Sequence, residues 1–294
     1  MYRCIKTIRV AVSLICLILL TDTLVGLLPD WAGMWIEEIQ FMYLLGGASI
    51  GWLALWFIVT LIFGRIYCSS VCPVGTLQDI LARMSRRRGK PYRFRPPMNR
   101  LRYGILIGFI ACMAAGLTAV AAILGPDSAY INISEQVIAP AVIWIKETIG
   151  HPMARIVAAS SLGLCIALAT LALLAAMSWR GGRRYCNTVC PVGAALGAVS
   201  RQSVMHIDIN TDLCTQCRRC VDACKAECIN LDDHTADMSR CVVCFNCVEA
   251  CRDNAISYTS RRHRLSTPLM QPNKRRTPKI AQPTMLKMEK NSKK

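Results

Sequence analysis

Acidic side chains are scarce in this chain, with 18 Asp and Glu against 35 Lys and Arg and a formal net charge of +17. The imbalance is local: residues 83–102 hold nine basic residues and no acid, and residues 261–294 hold eleven against the single Glu289. One block adjoins an apolar run and the other is a Pro-rich, Lys-rich tail. Membrane orientation and lipid headgroups account for such charge, so nucleic acid is not expected as a partner. Histidine is rarer still, and His151, His206, His234 and His263 all fall outside the long apolar runs. That excludes a histidine pair ligating a haem within a membrane. Small residues suited to signal-peptide cleavage are missing after Leu28, where Pro29, Asp30 and Trp31 follow, so the first apolar run reads as a retained span.

What is abundant is apolar surface and sulfur. Hydrophobic residues make up 53% of the chain and the mean hydropathy is +0.35, too apolar for an ordinary soluble protein. Residues 10–28, 41–63, 103–124 and 156–179 are each long enough to cross a bilayer core of roughly 30 Å. Residues 131–149 carry Glu135, Lys146 and Glu147 and read as an interfacial or re-entrant segment. Basic residues flank one side of the spans (Arg3, Lys6, Arg9; residues 83–102; Arg180, Arg183, Arg184), so the positive-inside rule places both termini in the cytoplasm. Gly46, Gly47, Gly51, Gly104, Gly108, Ala111 and Ala115 mark small-residue faces for helix packing. Asp22 either handles protons or reaches the outer interface. His151 either touches a quinol headgroup or is an exposed loop residue.

Twelve of the 17 cysteines lie in motifs, and such free thiols need a reducing compartment. Gly64-Arg-Ile-Tyr-Cys68-Ser-Ser-Val-Cys72-Pro-Val-Gly75 recurs as Gly182-Arg-Arg-Tyr-Cys186-Asn-Thr-Val-Cys190-Pro-Val-Gly193, with nine of twelve positions identical at an offset of 118. This is a duplicated two-span unit in which each copy ends in C-x3-C-P. Pro73 and Pro191 interrupt helical pairing, and the following glycines let the backbone turn. Cys68, Cys72, Cys186 and Cys190 could hold one further iron–sulfur cluster, act as a dithiol/disulfide relay, bind another metal, or form a structural turn. Tyr67 and Tyr185 read as interfacial anchors. Cys16, Cys112 and Cys165 read as packing within spans.

The remaining motif is denser. Cys214, Cys217, Cys220 and Cys224 form C-x2-C-x2-C-x3-C, and Cys241, Cys244, Cys247 and Cys251 repeat it after 27 residues. Zinc sites use two separated pairs, whereas three thiolates within seven residues wrap three irons of one cube. With β-type runs at residues 204–209 and 255–259, the stretch resembles a two-cluster bacterial ferredoxin. The resemblance implies crossed ligation: Cys214, Cys217, Cys220 and Cys251 for cluster 1, and Cys241, Cys244, Cys247 and Cys224 for cluster 2. Lys225 and Arg252 stand where proline usually follows the fourth cysteine. Cys228 is then either a substitute for Cys224 or a small buried hydrophobe. Lys225 and Arg252 are expected to favour the reduced clusters, so neutralising both lowers the potentials.

Together these features resemble the NapH-type polyferredoxin-like membrane proteins, which include quinol dehydrogenase membrane components and the iron–sulfur half of a nitrous-oxide-reduction regulator. The expected architecture is mainly α: a four-span transmembrane bundle at residues 1–203, a small α+β two-cluster ferredoxin-like domain at 204–260, and a basic disordered tail at 261–294. The resemblance implies two 4Fe-4S clusters in a multi-pass protein of the bacterial inner membrane, with termini and clusters cytoplasmic. It implies electron transfer between the quinone or quinol pool and a ferredoxin-like or cytochrome redox subunit. A metal reductase or assembly factor for a respiratory metalloenzyme, and a redox-sensing regulator, are the competing functions.

Overall fold

The computed structural model describes residues 2–25, 39–40, 50–86, 91–117, 124–149 and 160–260. Gly46, Gly47, His151 and the basic tail lie outside them. The protein is mainly helical, with a ferredoxin-type segment at its end.

The chain opens with α1 (Tyr2–Val25) and continues with α2 (Ile50–Phe63), a single turn α3 (Tyr67–Ser70) and α4 (Pro73–Arg86). An extended segment at residues 91–98 leads to α5 (Asn99–Ala114). Next come α6 (Pro126–Ile133), a π-helical segment Ser134–Ile138 and α7 (Ala139–Ile149), running without a break. The second copy of the repeat is α8 (Ser161–Gly181), α9 (Arg184–Thr188) and α10 (Pro191–Ser200). Caps fix its start and end: Ser160 accepts from the Gly163 amide at 2.9 Å, and Gly182 leaves α8 at φ +56°.

The two copies exchange partners. α4 packs on α8 of the other copy, and α10 packs on α2 of the first. Neither copy therefore closes its own apolar face, and the C-x3-C-P elements meet at the centre. Two helices, Tyr2–Asp22 and Ser161–Gly181, are long and apolar enough to cross a membrane, while Gly51–Phe63 is a shorter apolar helix.

Two expectations change and one element is extended. Residues 131–149 continue one helical run that starts at Pro126, in which Ala129, Tyr130, Ile133 and Ser134 are buried against the bundle. Among the described residues, a Cβ added at Gly51, Gly104 or Gly108 would meet nothing within 4 Å, so these small residues do not pack on another helix. Tyr67 and Tyr185 are 0% and 2% exposed, and therefore face the core rather than an interface. Tyr67 donates to Gln40 Oε1 at 3.0 Å and lies edge-on to Trp56.

The ferredoxin-type segment is small. β1 (His206–Ile209) pairs antiparallel with β4 (Ile256–Thr259), and β2 (Ile229–Asn230) with β3 (Thr235–Ala236). Between the strands lie α11 (Arg219–Ala223) and α12 (Asn246–Ala250). Tyr2 stacks on Phe245 at 6.0 Å and Lys6 donates to Glu249, so the start of α1 is seated on this segment. The amides of Val204 and Met205 donate to the last carbonyls of α2, Leu61 and Ile62, at 2.8 Å each. Part of the basic block is used in the same way: the Arg95 amide donates to Glu227 O at 3.4 Å, and Arg240 Nη1 donates to Arg95 O at 2.8 Å. Arg95 of that block thus lies along protein.

Candidate iron–sulfur centres

In the bundle, Cys68, Cys72, Cys186 and Cys190 come together, all at most 4% exposed and all in one apolar core. The local construction is the same in both copies. Pro73 and Pro191 open α4 and α10, because a missing N–H costs nothing at the first helical position. The preceding cysteine then sits at the helix N-terminus, and Cys190 Sγ accepts from the Gly193 amide at 3.3 Å. Burial and the neighbouring cysteines push the Cys72 and Cys190 thiols up, and the unpaired amides at the two helix starts work in the opposite direction, toward negative sulfur.

Gly75 and Gly193 have a role different from turning. Their φ is not positive; instead, a Cβ would lie 2.3 Å from Cys68 O and 2.2 Å from Cys186 O. Only glycine lets the new helix rest against the first cysteine of its own element.

Two arginines complete the centre. Arg65 and Arg183 occupy equivalent repeat positions, and each is 0% exposed. Arg65 Nη2 reaches across to Cys186 O at 3.3 Å, and Arg183 Nη1 reaches across to Cys68 O. Arg65 also donates to Asn187 Oδ1 at 2.8 Å, to Ser239 O at 3.1 Å and toward Cys68 Sγ at 3.7 Å. Gln78 donates to Cys186 Sγ at 3.4 Å. Arg183, read from the sequence as a membrane-orientation charge, is instead part of this centre.

The symmetry is broken electrically. Arg183 makes a two-pronged pair with Asp79, Nε to Oδ1 at 2.8 Å and Nη2 to Oδ2 at 2.7 Å. The equivalent of Asp79 in the second copy is Gly197, and among the described residues Arg65 has no ion pair. Burial works against the Arg65 charge, yet negative sulfur at Cys68 and Cys186 outweighs it and raises its pKa. A buried guanidinium without a carboxylate is costly unless something anionic adjoins it. Four thiolates around an iron–sulfur cluster supply such an anion, so the donor set and its surroundings fit that group.

Asp79 also pairs with Lys225, and Arg9 Nη1 lies 3.9 Å away. Burial alone would raise the Asp79 pKa, but Arg183 and Lys225 hold it far below the usual carboxylate range. The Lys225 pKa is itself lowered: burial, with Arg183 and Arg9, outweighs Asp79 and the nearby Cys244. One carboxylate serves three cations, which leaves positive charge over. Lys225 and Arg252 are thus not equivalent, since the first is buried in the bundle contact and the second is exposed.

The ferredoxin cysteines form two groups. Cys220 senses charge on Cys214, Cys217 and Cys251, the cysteine from the end of the second run. Burial pushes the Cys247 thiol up, and Cys244, Cys224 and Cys241 add to this ahead of Cys220. Cys224, Cys241, Cys244 and Cys247 line one cavity with Cys228, closed by Ile207 and Phe245. Both loops use left-handed backbone at Gln216, Arg218, Val243 and Phe245 (φ 49° to 63°), which curls each C-x2-C-x2-C run around a point. The second group adjoins the bundle: Val242 and Cys244 pack into the core that holds Cys68 and Cys186. The first faces outward, with Cys217 exposed and Cys214 and Cys251 half-buried.

Arg65, Gln78, Asp79 and Arg183 are the functional candidates that motif reading passes over. For the arginines a signal existed, because Gly-Arg is among the identical positions of the repeat. For Gln78 and Asp79 none did, since the second copy has Leu196 and Gly197 there.

A buried, doubled set of cysteines beside a two-run ferredoxin-type segment is the donor chemistry of iron–sulfur proteins. Comparison with known proteins agrees at that level. A family model described as a 4Fe-4S binding domain matches residues 45–91 and 165–210, and each stretch contains one C-x3-C-P element. The chain is 29% identical over 178 residues to the methylamine utilization ferredoxin-type protein MauN of Paracoccus denitrificans (strain Pd 1222), across 60% of this chain and 54% of that protein. It is 25% identical over 181 residues to the putative electron transport protein YccM of Escherichia coli (strain K12), across 58% of this chain and 44% of that protein. The chain thus spans about half the length of these curated relatives. No solved structure matches. These relationships support 4Fe-4S clusters and iron–sulfur electron transfer.

Proposed function

We propose that the protein is a membrane-anchored electron carrier in which three iron–sulfur centres lie in series. Cys214, Cys217, Cys220 and Cys251 hold the outer cluster, and Cys224, Cys241, Cys244 and Cys247 the middle one. Cys68, Cys72, Cys186 and Cys190 hold a third at the junction of the duplicated halves. Bound clusters supply one-electron chemistry at potentials anywhere within roughly −700 to +450 mV. The chain's residues exclude water, fix the thiolates and place charge: Arg65, Arg183 and the starts of α4 and α10 all point positive ends at the third site.

The observation that carries this reading is Arg65, buried without a carboxylate partner among the described residues and aimed at the cysteines of both halves, at Cys68 Sγ in one and at Cys186 O in the other. The apolar helices Tyr2–Asp22 and Ser161–Gly181, with Ile15, Ile18, Leu162 and Leu168 exposed, support anchoring in a bilayer. In the full reading residues 1–203 form a four-span inner-membrane unit with both termini cytoplasmic, and residues 204–260 form the ferredoxin-like unit beneath it. Electrons then pass between the quinone or quinol pool and a partner redox protein.

Iron and acid-labile sulfide analysis tests the third centre. Replacing Cys68, Cys72, Cys186 and Cys190 together should lower iron per chain while the two ferredoxin signals persist in electron paramagnetic resonance. Unchanged iron would sink it. A quinol-dependent reduction assay on membranes tests the partner: clusters that stay oxidised when quinol is added would remove the quinone pool from the reading.

A further inference from the structure

The two ferredoxin runs repeat at an offset of 27, so Cys224-Lys-Ala-Glu-Cys228-Ile229 aligns with Cys251-Arg-Asp-Asn-Ala255-Ile256. Ala255 and Cys228 are both buried, at 3% and 2%. Alanine fills this position in one copy, so packing alone does not call for sulfur in the other.

The backbone brings that sulfur back toward the cluster ligands. Cys224 ends α11 in an extended conformation (φ −81°, ψ 91°), and Glu227 takes a left-handed one at φ 53°. The Glu227 amide donates to Cys224 O at 3.0 Å, closing a tight turn. Cys228 Sγ is thereby held 3.5 Å from Cys224 Sγ, and it also hydrogen-bonds with Cys241. All three line the cavity shared with Cys244 and Cys247. Five thiols thus surround a space where a cubane takes four protein ligands, one on each iron.

We propose that Cys224 and Cys228 are alternative ligands to the same iron of the cluster held by Cys241, Cys244 and Cys247. This rests on the reading of that group as a 4Fe-4S site. Exchange breaks the iron–sulfur bond of one thiolate and forms that of the other. The proton passes from the incoming thiol to the outgoing thiolate beside it, and no electron is gained or lost. That iron would then change its ligand without being released.

The test uses the full chain, purified anaerobically, as wild type and as Cys224→Ala, Cys228→Ala, Cys224→Ala/Cys228→Ala and Cys247→Ala. Iron and sulfide content and electron paramagnetic resonance of oxidised and reduced samples are the readouts, and the outer-cluster signal shows that each variant has folded. Both single variants at positions 224 and 228 should keep a four-iron middle cluster. The double variant should lose it or convert it to a three-iron form, as Cys247→Ala should. A Cys224→Ala protein that already matches the double variant overturns the proposal. A wild type with iron for the outer cluster but none for the middle one overturns the four-iron reading as well, which separates the two failures.

Discussion

Asp79 is the residue on which most of the buried charge depends. It lies between Arg183, Lys225 and Arg9, and it joins α4, the loop before α9 and the turn after the first ferredoxin run. Removing one member of such a pair leaves the others buried without compensation, a loss of about 3–5 kcal/mol. Asp79→Asn should therefore destabilise the bundle–ferredoxin contact by that order in detergent unfolding. Asp79→Asn/Lys225→Met, which removes one stranded cation, should recover part of it; a double variant no better than the single would refute the network. The pH dependence follows from the sign of the shift. The Asp79 pKa is depressed in the fold, so its contribution is complete above the ordinary carboxylate range. It is lost only as pH falls well below that range, so the contact should survive mild acid.

Arg65 makes the complementary prediction at the same scale. It has no carboxylate to neutralise it among the described residues, so its full charge acts on whatever the four thiolates bind. At an effective dielectric of about 20, a unit charge at contact distance is worth a few kcal/mol, or on the order of 100 mV for one electron. If the four bundle cysteines hold a cluster as proposed, Arg65→Gln should lower its potential by that order while leaving the ferredoxin centres in place. Equal shifts at all three centres in a redox titration would count against a local role. Exposed Arg252, screened by water, should shift its cluster far less, contrary to treating it and Lys225 alike.

Among elements, glycine separates what spacing can reveal from what it cannot. Motif reading marks Gly51, Gly104 and Gly108 as packing faces because they recur at helical spacing, yet open space lies beside each among the described residues. Close approaches to backbone lie instead at Gly75, Gly193 and Gly182, inside the repeat that the cysteines make conspicuous, and at Gly197 just beyond it. The repeat, the C-x3-C-P elements and both ferredoxin runs are legible because their chemistry forces a fixed spacing. The exchange of partners between the halves is not, since it depends on which apolar faces meet, and apolar residues in a span look alike from every side. Gly182→Ala should cost at least about 1–3 kcal/mol, because Gly182 has φ +56° and a Cβ would lie 2.4 Å from Lys225 O. Gly104→Ala, with a helical backbone and room for a methyl, should gain up to about 1 kcal/mol. Comparable losses in both would mean that the α5 face is occupied by a partner.

At the level of the whole molecule, burial ranks the centres. Cys217 is exposed and Cys214 and Cys251 are half-buried, whereas Cys241, Cys244 and Cys247 are at most 9% exposed and the bundle cysteines are at most 4%. In the proposed reading a soluble redox partner would approach the outer cluster most closely, and the middle cluster would lie between it and the bundle core, into which Val242 and Cys244 pack. Oxidative damage should follow the same order, because access and thiolate character govern it. Brief ferricyanide treatment of the anaerobic protein should remove the outer cluster first, turning the spin-coupled spectrum of two neighbouring cubanes into that of an isolated one with the potential of the middle cluster. Replacing Tyr2 by Ala, which unseats α1 from Phe245, should narrow this difference by opening the side of the middle site. If the middle cluster instead bleaches first in the wild type, the series order is wrong, and electrons must enter the protein on the bundle side of Cys244.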